Sequence, residues 1–214
     1  MNKRDLIAKR AMTLLRSGDV VNLGIGIPER CALFTPPGLD ISYQCENGYV
    51  GVGTNPAEGM WDGYTVTAGG HPSAVEPYGA FFDSAVSLGL IRGGHITAAI
   101  LGGIQVSENG DLANWNIPGQ LMPGIGGSMD LAVGARKVIV AMEHCTKTGA
   151  PKIVRRCTYP LTAVGVVNYI VTEYCILHCT SHGLFVVEMA PGVSLEALRA
   201  TTDAELHEDH ILLH

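Results

Sequence analysis

Two glutamates of this 214-residue sequence each follow a strand-like run, and each begins the same tripeptide, Glu-Asn-Gly. The first copy occupies residues 46–48 and the second residues 108–110. A carboxylate at the carboxyl end of a strand lies where open parallel sheets commonly place a ligand crevice. The alternative is a solvated turn residue, with Asn-Gly supplying the positive φ angles of a tight turn. Composition and periodicity do not choose between Glu46 and Glu108.

Two glycine-rich turns are the next candidates for chemistry. The loop "GIGGSMD" at 124–130 is predicted to open into a helix capped by Ser128, and its backbone amides could hold an oxyanion or a phosphate. An ordinary tight turn is the other interpretation. The turn "NLGIGIP" at 22–28 follows a strand, but Glu29 stands where a dinucleotide fingerprint needs its third glycine. We therefore expect no dinucleotide site.

Histidine and cysteine cluster in three places, "EHC" at 143–145, "CILHC" at 175–179, and His182. On a strand, Cys175 and Cys179 share one face while His178 points to the other, so a shared metal ion would need a bulge. We expect packed thiols and no metal site.

Composition excludes several classes of partner. Charged residues make up 16% of the chain, below the usual ~25%, which indicates extensive subunit contact. The net charge of -6 and the absence of a basic cluster argue against nucleic acid. No apolar stretch is long enough for a membrane span, and the charged amino end is not typical of a signal peptide. Six cysteines without a Cys-x-x-Cys pair favour reduced thiols in the cytoplasm.

The order of predicted elements indicates the α/β class. An amphipathic first helix closed by Gly18 precedes the strand "DVVNL", a short helix from Pro28 and the strand "DISYQC". A helix is predicted over 81–91, one buried strand over "ITAAILGGIQV", and another buried strand after the Ser128 helix. A hairpin around 181–183 and a helix capped by Ser194 follow. We predict one domain, 1–214: an open, largely parallel twisted sheet flanked by helices, with an antiparallel hairpin portion near the carboxyl end.

Across nearly its whole length the sequence resembles the B (beta) subunit of the family I CoA-transferases, which act on 3-oxoacids and short-chain acids. The resemblance rests on eight ordered blocks: "VNLGIGIP" at 21–28, "QCENGYVGVG" at 44–53, "FFDSA" at 81–85, "LIRGGHI" at 90–96, "DLANW" at 111–115, "PGIGGSMDL" at 123–131, "AMEH" at 141–144 and "CTYPLT" at 157–162.

The resemblance implies a role for individual residues. It makes Glu46 the nucleophile, because the family's Gln-Ser-Glu-Asn-Gly motif falls there, and it leaves Glu108 in a variable turn. Cys45 replaces the family's usual serine. The resemblance also implies that Asn22 lies beside the nucleophile and that the amide of Gly127 faces the reacting carbonyl. Contacts with CoA are implied for five positions: Asn47, Gly102, Gly103, Gly126 and Ser128. Some relatives carry a lysine where this sequence has Gly70.

The family further implies a ping-pong exchange through a γ-glutamyl-CoA thioester, with acyl-CoA as substrate and no permanently bound cofactor. It implies a separate A (alpha) subunit that completes the site in an α2β2 or larger assembly. The acceptor acid is left open, and part of its pocket is expected in the segment 54–71. An acyl-CoA hydrolase and a non-catalytic CoA- or phosphoester-binding module remain the alternatives.

Overall fold

A computed structural model describes residues 1–53, 56–57, 59–121 and 124–208. The helices are α1 (Lys3–Met12), a 3-10 helix (Pro28–Phe34), α2 (Ser84–Arg92), α3 (Ser128–Gly134) and α4 (Leu195–Ala200). The strands are β1 (Asp19–Leu23), β2 (Ile41–Cys45), β3 (Tyr49–Val52), β4 (Val75–Phe81), β5 (Ala98–Leu101), β6 (Gln105–Ser107), β7 (Leu112–Ala113), β8 (Val138–Ala141), β9 (Ile153–Val154), β10 (Tyr169–Val171), β11 (Cys175–Thr180), β12 (Gly183–Met189) and β13 (Leu206–His207).

Among these residues, ten strands form one sheet in the order β13-β12-β11-β10-β8-β5-β1-β2-β3-β4. The five central strands, from β10 to β2, run parallel to one another. The predicted α/β class with a largely parallel sheet is confirmed. β6, β7 and β9 form a second sheet of three strands, which was not predicted from the sequence.

Helices cover both faces of the central strands because β5 and β8 are apolar at every position and fully buried. Alternate residues of these strands enter two different cores. Leu101 and Val140 pack in the core that contains Ile91 of α2 and Leu131 of α3. The other core contains the opposite faces of β5 and β8, together with α1 and the 3-10 helix.

Antiparallel pairing occurs at both ends of the sheet. The predicted hairpin near the carboxyl end is confirmed as β11 paired with β12, and β10 also pairs antiparallel with β11. The second antiparallel portion, β2-β3-β4, was not predicted, and the turn between β2 and β3 contains Glu46. Gly48 reverses the chain there with a φ of +131°, and a Cβ at this position would lie 2.5 Å from the carbonyl oxygen of Phe82.

Three predicted boundaries were wrong. The run "ITAAILGGIQV" is not one strand, because the chain leaves the large sheet at Gly102 and Gly103 and enters the small sheet as β6. A Cβ on Gly103 would lie 2.7 Å from Cγ1 of Val140, so the backbone passes too close to β8 for any side chain. The first helix ends at Met12 rather than near Gly18, and α2 begins at Ser84, since Phe81 belongs to β4.

Two other helix signals were correct. The helix predicted from Pro28 is a 3-10 helix with this proline at its first position, and Ser194 caps α4 by accepting a hydrogen bond from the amide of Ala197. No helix in the part of the chain that the structure describes is long and apolar enough to cross a membrane.

Gly134, the last residue of α3, allows α3 to approach α2 closely. A Cβ on Gly134 would lie 2.8 Å from the carbonyl carbon of Ile91. We expect Gly134→Ala to lower the free energy of unfolding by about 1–3 kcal/mol, the usual range for overpacking. Urea denaturation of the purified chain measures this change.

Gly89→Ala is the matched control, because a Cβ on this helical glycine would meet nothing within 4 Å. Replacement of an exposed helical glycine by alanine should raise stability by about 0.5–1 kcal/mol. Equal effects of the two substitutions would contradict the close approach of α2 and α3.

His144 is fully buried just beyond the carboxyl end of β8. Its Nδ1 lies 3.1 Å from Oγ1 of Thr172 and its Nε2 lies 3.0 Å from Oγ1 of Thr202. Burial lowers the pKa of His144 from 6.5 to about 4. The imidazole is therefore neutral in the folded chain at neutral pH and holds the strand ends against the start of the α4–β13 connection.

This shift predicts a specific sensitivity to acid. Because the folded-state pKa lies below the unfolded value, the unfolded chain takes up the proton first as pH falls from 6.5 to about 4, and stability is lost in that window. The full loss is about 3 kcal/mol. Urea denaturation at pH 7, 5.5 and 4.5 should show a shallower decline for His144→Gln than for the wild type. Identical declines would contradict the buried neutral state.

Candidate active site

Glu46 directly follows β2, at the carboxyl end of a parallel strand. β1 pairs with β2 so that Asn22 lies opposite Gln44, and Gln44 and Glu46 point to the same side two residues apart. Nδ2 of Asn22 donates a hydrogen bond of 3.0 Å to Oε2 of Glu46. The structure therefore brings together Asn22 and Glu46, two residues that the resemblance implied.

The side-chain amide of Asn22 is fully buried, and its nitrogen and oxygen differ in their hydrogen-bond partners. Its Nδ2 lies within hydrogen-bonding distance of three acceptors, Oε2 of Glu46 and both Oε1 and the main-chain oxygen of Gln44. Its Oδ1 is buried without a hydrogen-bond partner among the described residues. Because Nδ2 is the atom that faces the carboxylate, Asn22 can only be a donor toward Glu46.

The glycine loop contacts the same carboxylate. A Cβ on Gly127 would lie 3.3 Å from Cγ of Glu46, so the loop backbone packs directly against the glutamate side chain. No described residue accepts a hydrogen bond from the Gly127 amide. We therefore treat this N–H group as a candidate donor to an oxygen bound beside Glu46.

The predicted capping role of Ser128 is wrong. Gly127 is the N-cap of α3 and Ser128 is its first residue, because the chain enters the helix one residue earlier than the serine signal indicated. Oγ of Ser128 instead accepts a long hydrogen bond of 3.4 Å from Nδ2 of Asn114. Gly126 lies in the loop before the cap, with open space where its side chain would be.

Asn47 and Glu29 hold the segment around the site in place. Nδ2 of Asn47 donates to the carbonyl of Val66, which ties the Glu46 turn to the chain that follows β3. Glu29 accepts hydrogen bonds from the amides of Gly26 and Gly69, and thereby joins the turn after β1 to the same segment. This role of Glu29 was not predicted from the sequence. Residues 54, 55 and 58 of the expected acyl-pocket segment lie outside the described residues.

Cys45 is buried next to the candidate nucleophile. Burial, and secondly the charge of Glu46, raise the pKa of the Cys45 thiol to about 12. The thiol is therefore protonated at neutral pH and is a poor nucleophile. Its side chain points to the face opposite Gln44 and Glu46.

Gly102 and Gly103 line a separate cavity of about 470 Å³, and Glu46 is not among its lining residues. The cavity opens at the carboxyl ends of β1, β5 and β8 and is mostly apolar. Arg4, Lys147 and Lys152 are the cations in its lining. Burial lowers the pKa of Lys152, and the charges of Glu143 and Glu173 partly restore it. Such a crevice suits an elongated ligand with an anionic group.

Glu108 lies in a different environment from Glu46. It occupies the turn between β6 and β7 in the three-stranded sheet, and its amide donates to the carbonyl of Val154. No hydrogen bond or ion pair within the described ranges involves its carboxylate. Those ranges also contain no group of three or more His, Cys, Asp and Glu side chains that could hold a metal ion.

Two further polar groups at this site were not predicted from the sequence. Gln44 and Ser87 are buried, and both join the hydrogen bonds around Glu46. Gln44 stands inside a quoted sequence block and Ser87 lies just after another, but a buried polar residue has no signature in a single sequence.

This fold is shared with enzymes that transfer coenzyme A. The profile of the Coenzyme A transferase family matches residues 4–201, and the chain belongs to this family. It is 49% identical over 206 residues to the beta chain of the acetate CoA-transferase of Escherichia coli K12, covering 95% of this chain and 93% of that protein. It is 47% identical over 202 residues to the corresponding chain of the succinyl-CoA:3-ketoacid coenzyme A transferase of Helicobacter pylori 26695, covering 94% and 97%.

Solved structures share the fold. An acyl-CoA transferase from Escherichia coli O157:H7, crystallised as a thioester complex with CoA, superposes with a TM-score of 0.75 at 22% identity. The match covers 97% of this chain and 42% of that chain, so this chain spans less than half of the longer protein.

The contact between Gly127 and Glu46 predicts an effect on CoA transfer. A methyl group on Gly127 would press on Cγ of Glu46 and displace the carboxylate or the loop amide. Because a displacement of about 1 Å at a reacting group can slow a reaction by about 100-fold, we expect Gly127→Ala to lower kcat by about 100-fold. The rate of acyl-CoA consumption at saturating acyl-CoA and acceptor acid measures this kcat.

Gly89→Ala adds the same methyl group where it meets nothing within 4 Å, and it should leave kcat unchanged. A normal kcat in the Gly127→Ala enzyme would show that the glycine loop does not position the reacting groups.

Proposed function

We propose that the chain is the beta subunit of a CoA-transferase that moves CoA between an acyl-CoA and a short-chain carboxylic or 3-oxo acid, with Glu46 as the nucleophile. One observation carries the proposal: the Glu46 carboxylate lies between a buried amide donor, Asn22, and a glycine loop in which the Gly127 N–H donates to none of the described residues. The single-domain organisation over 1–214 and a cytoplasmic location are part of the same proposal.

The exchange proceeds by covalent steps on one carboxylate. An oxygen of Glu46 attacks the thioester carbon of the acyl-CoA, the carbon–sulfur bond breaks, and CoA leaves as a thiolate. The thiolate attacks the glutamyl carbonyl of the resulting anhydride, which forms the γ-glutamyl-CoA thioester and releases the first acid. The acceptor carboxylate then attacks the glutamyl thioester, which forms a second anhydride and releases CoA as a thiolate. The thiolate attacks the acceptor acyl carbon of this anhydride, so that the new acyl-CoA leaves and the Glu46 carboxylate is regenerated. The cycle needs no permanently bound cofactor.

Asn22 and Gly127 have distinct roles in this cycle. Each tetrahedral intermediate carries an oxyanion, and the Gly127 amide is our candidate donor to it. Asn22 remains a donor throughout, first to the Glu46 carboxylate and then to the glutamyl carbonyl, whose electrophilicity it increases. The neutral thiol of Cys45 does not compete with Glu46 for the acyl group.

We assign the long CoA substrate to the crevice at the strand ends. Gly102 and Gly103 leave room for the pantetheine chain, and Lys152 offers charge to a phosphate group. Binding of these distant parts can be used to bring the reacting ends together. Asn47, Gly126 and Ser128 remain candidate contacts near the thioester.

A separate A subunit completes the site in this proposal, in an α2β2 or larger assembly. The low charged fraction supports a large interface. So do exposed apolar side chains on the elements around the glutamate: Phe81 of β4, Val86 of α2, and Met129 and Val133 of α3. The names of the relatives, acetate and succinyl-CoA:3-ketoacid transferases, suggest the acids to try first.

The two Glu-Asn-Gly copies provide a matched test. The chain is reconstituted with a CoA-transferase A subunit and offered acetyl-, butyryl-, acetoacetyl-, succinyl- and 3-oxoadipyl-CoA without acceptor acid. Hydroxylamine or borohydride traps the covalent intermediate, and peptide mass mapping locates it. We expect modification at Glu46, loss of turnover by at least about 1,000-fold in Glu46→Ala, and normal turnover in Glu108→Ala.

The chain without the A subunit serves as the control and should be inactive. Consumption of acyl-CoA that does not depend on an acceptor acid would instead indicate a hydrolase. Modification at Glu108, or normal turnover in an assembled Glu46→Ala enzyme, would overturn the assignment.

A further inference from the structure

We propose that Gln44 and Ser87 are positioning residues, which hold the Asn22 amide and the Glu46 backbone in the orientation needed for covalent attack. This inference rests on the proposed role of Glu46. Neither residue touches the reacting atoms, so both act through their neighbours.

A closed ring of hydrogen bonds joins the four residues. Nδ2 of Asn22 donates to Oε2 of Glu46 at 3.0 Å and to Oε1 of Gln44 at 2.8 Å. Nε2 of Gln44 donates to Oγ of Ser87 at 3.0 Å. Oγ of Ser87 donates to the main-chain oxygen of Glu46 at 2.9 Å. The ring thus begins at the side chain of Glu46 and returns to its backbone.

The direction of every hydrogen in this ring is determined. Ser87 accepts from Gln44, so its own proton is the one that reaches Glu46. Gln44 uses its nitrogen on Ser87, so only its oxygen is left for Asn22. The hydroxyl of Ser87 therefore determines which end of the Gln44 amide faces Asn22.

Gln44 in turn determines which end of the Asn22 amide faces the nucleophile. A rotated Asn22 amide would place Oδ1 against three acceptor oxygens, with no hydrogen between them. The observed orientation leaves Oδ1 buried and unpartnered among the described residues, a cost that the three acceptors of Nδ2 outweigh. Without Gln44 as an acceptor, the balance between the two orientations shifts toward the unproductive one.

Ser87 has a second effect because it belongs to α2 and Glu46 lies on a turn. Asp83 caps α2 by accepting from the amide of Val86, and the next residue, Ser87, faces β2 from the first turn of the helix. Its bond to the Glu46 carbonyl fixes the point from which the side chain extends toward the thioester. A displacement of about 1 Å at a nucleophile is enough to slow a reaction by about 100-fold.

The test separates positioning from folding. Ser87→Ala and Gln44→Met enzymes, assembled with the A subunit, are mixed in single turnover with the acyl-CoA that the wild type uses fastest. We expect the rate of covalent adduct formation on Glu46 to fall by about 10- to 100-fold, while the Kd for CoA measured by calorimetry changes less than about twofold.

Ser107→Ala is the matched control. Ser107 is also a fully buried serine with a hydrogen bond, from the amide of Asp111, but it belongs to the three-stranded sheet. The rate of adduct formation on Glu46 in the Ser107→Ala enzyme should equal that of the wild type. This variant should lose about as much thermal stability as Ser87→Ala. Size-exclusion chromatography checks that each variant assembles.

Each remaining outcome decides between the proposals. Normal adduct formation in Ser87→Ala and Gln44→Met, with none in Glu46→Ala, would overturn the positioning role and leave the proposed function intact. Parallel loss of CoA binding and adduct formation, or failure of both variants to assemble, would make the two residues purely structural and overturn it as well. Adduct formation in Glu46→Ala would overturn the proposed function itself.

Discussion

The hydrogen bond from the Asn22 amide to the Glu46 carboxylate is the interaction on which the rest of this site depends. It exists because β1 and β2 pair in parallel with Asn22 opposite Gln44, which places Glu46 two residues further along on the same side. A register shift of one residue would turn either side chain to the opposite face of the sheet. The two strands are separated in sequence by the 3-10 helix, so the site is a product of long-range strand pairing.

Burial decides which groups near the site carry charge. It raises the pKa of Cys45 to about 12, so this thiol is neutral at neutral pH. The neighbouring polar groups at Glu46 are amides and a hydroxyl, which donate hydrogen bonds without taking up or releasing protons. This arrangement supports the proposal that covalent chemistry takes place on a single carboxylate, in a reaction from which water must be excluded.

Much of the fold could be predicted from local pattern. The buried strands β5 and β8 are unbroken apolar runs, Pro28 and Ser194 mark helix starts, and the turn before Gly183 marks the hairpin. β3 and β4 were missed because their residues alternate weakly and include glycines. The apolar run across Gly102 and Gly103 was assigned to one strand because hydrophobicity does not record a change of sheet.

By itself, the sequence determined that a Glu-Asn-Gly turn follows a strand in two places, and its ordered blocks favoured Glu46 over Glu108. Only the tertiary structure decided that Asn22, Gln44, Ser87 and Gly127 meet at that glutamate, each from a different strand, helix or loop. The reason is physical: a local pattern records which face of an element is apolar, whereas hydrogen bonds between residues far apart depend on strand register and helix packing. The same dependence leaves Glu108, with the identical tripeptide, in a turn of the other sheet.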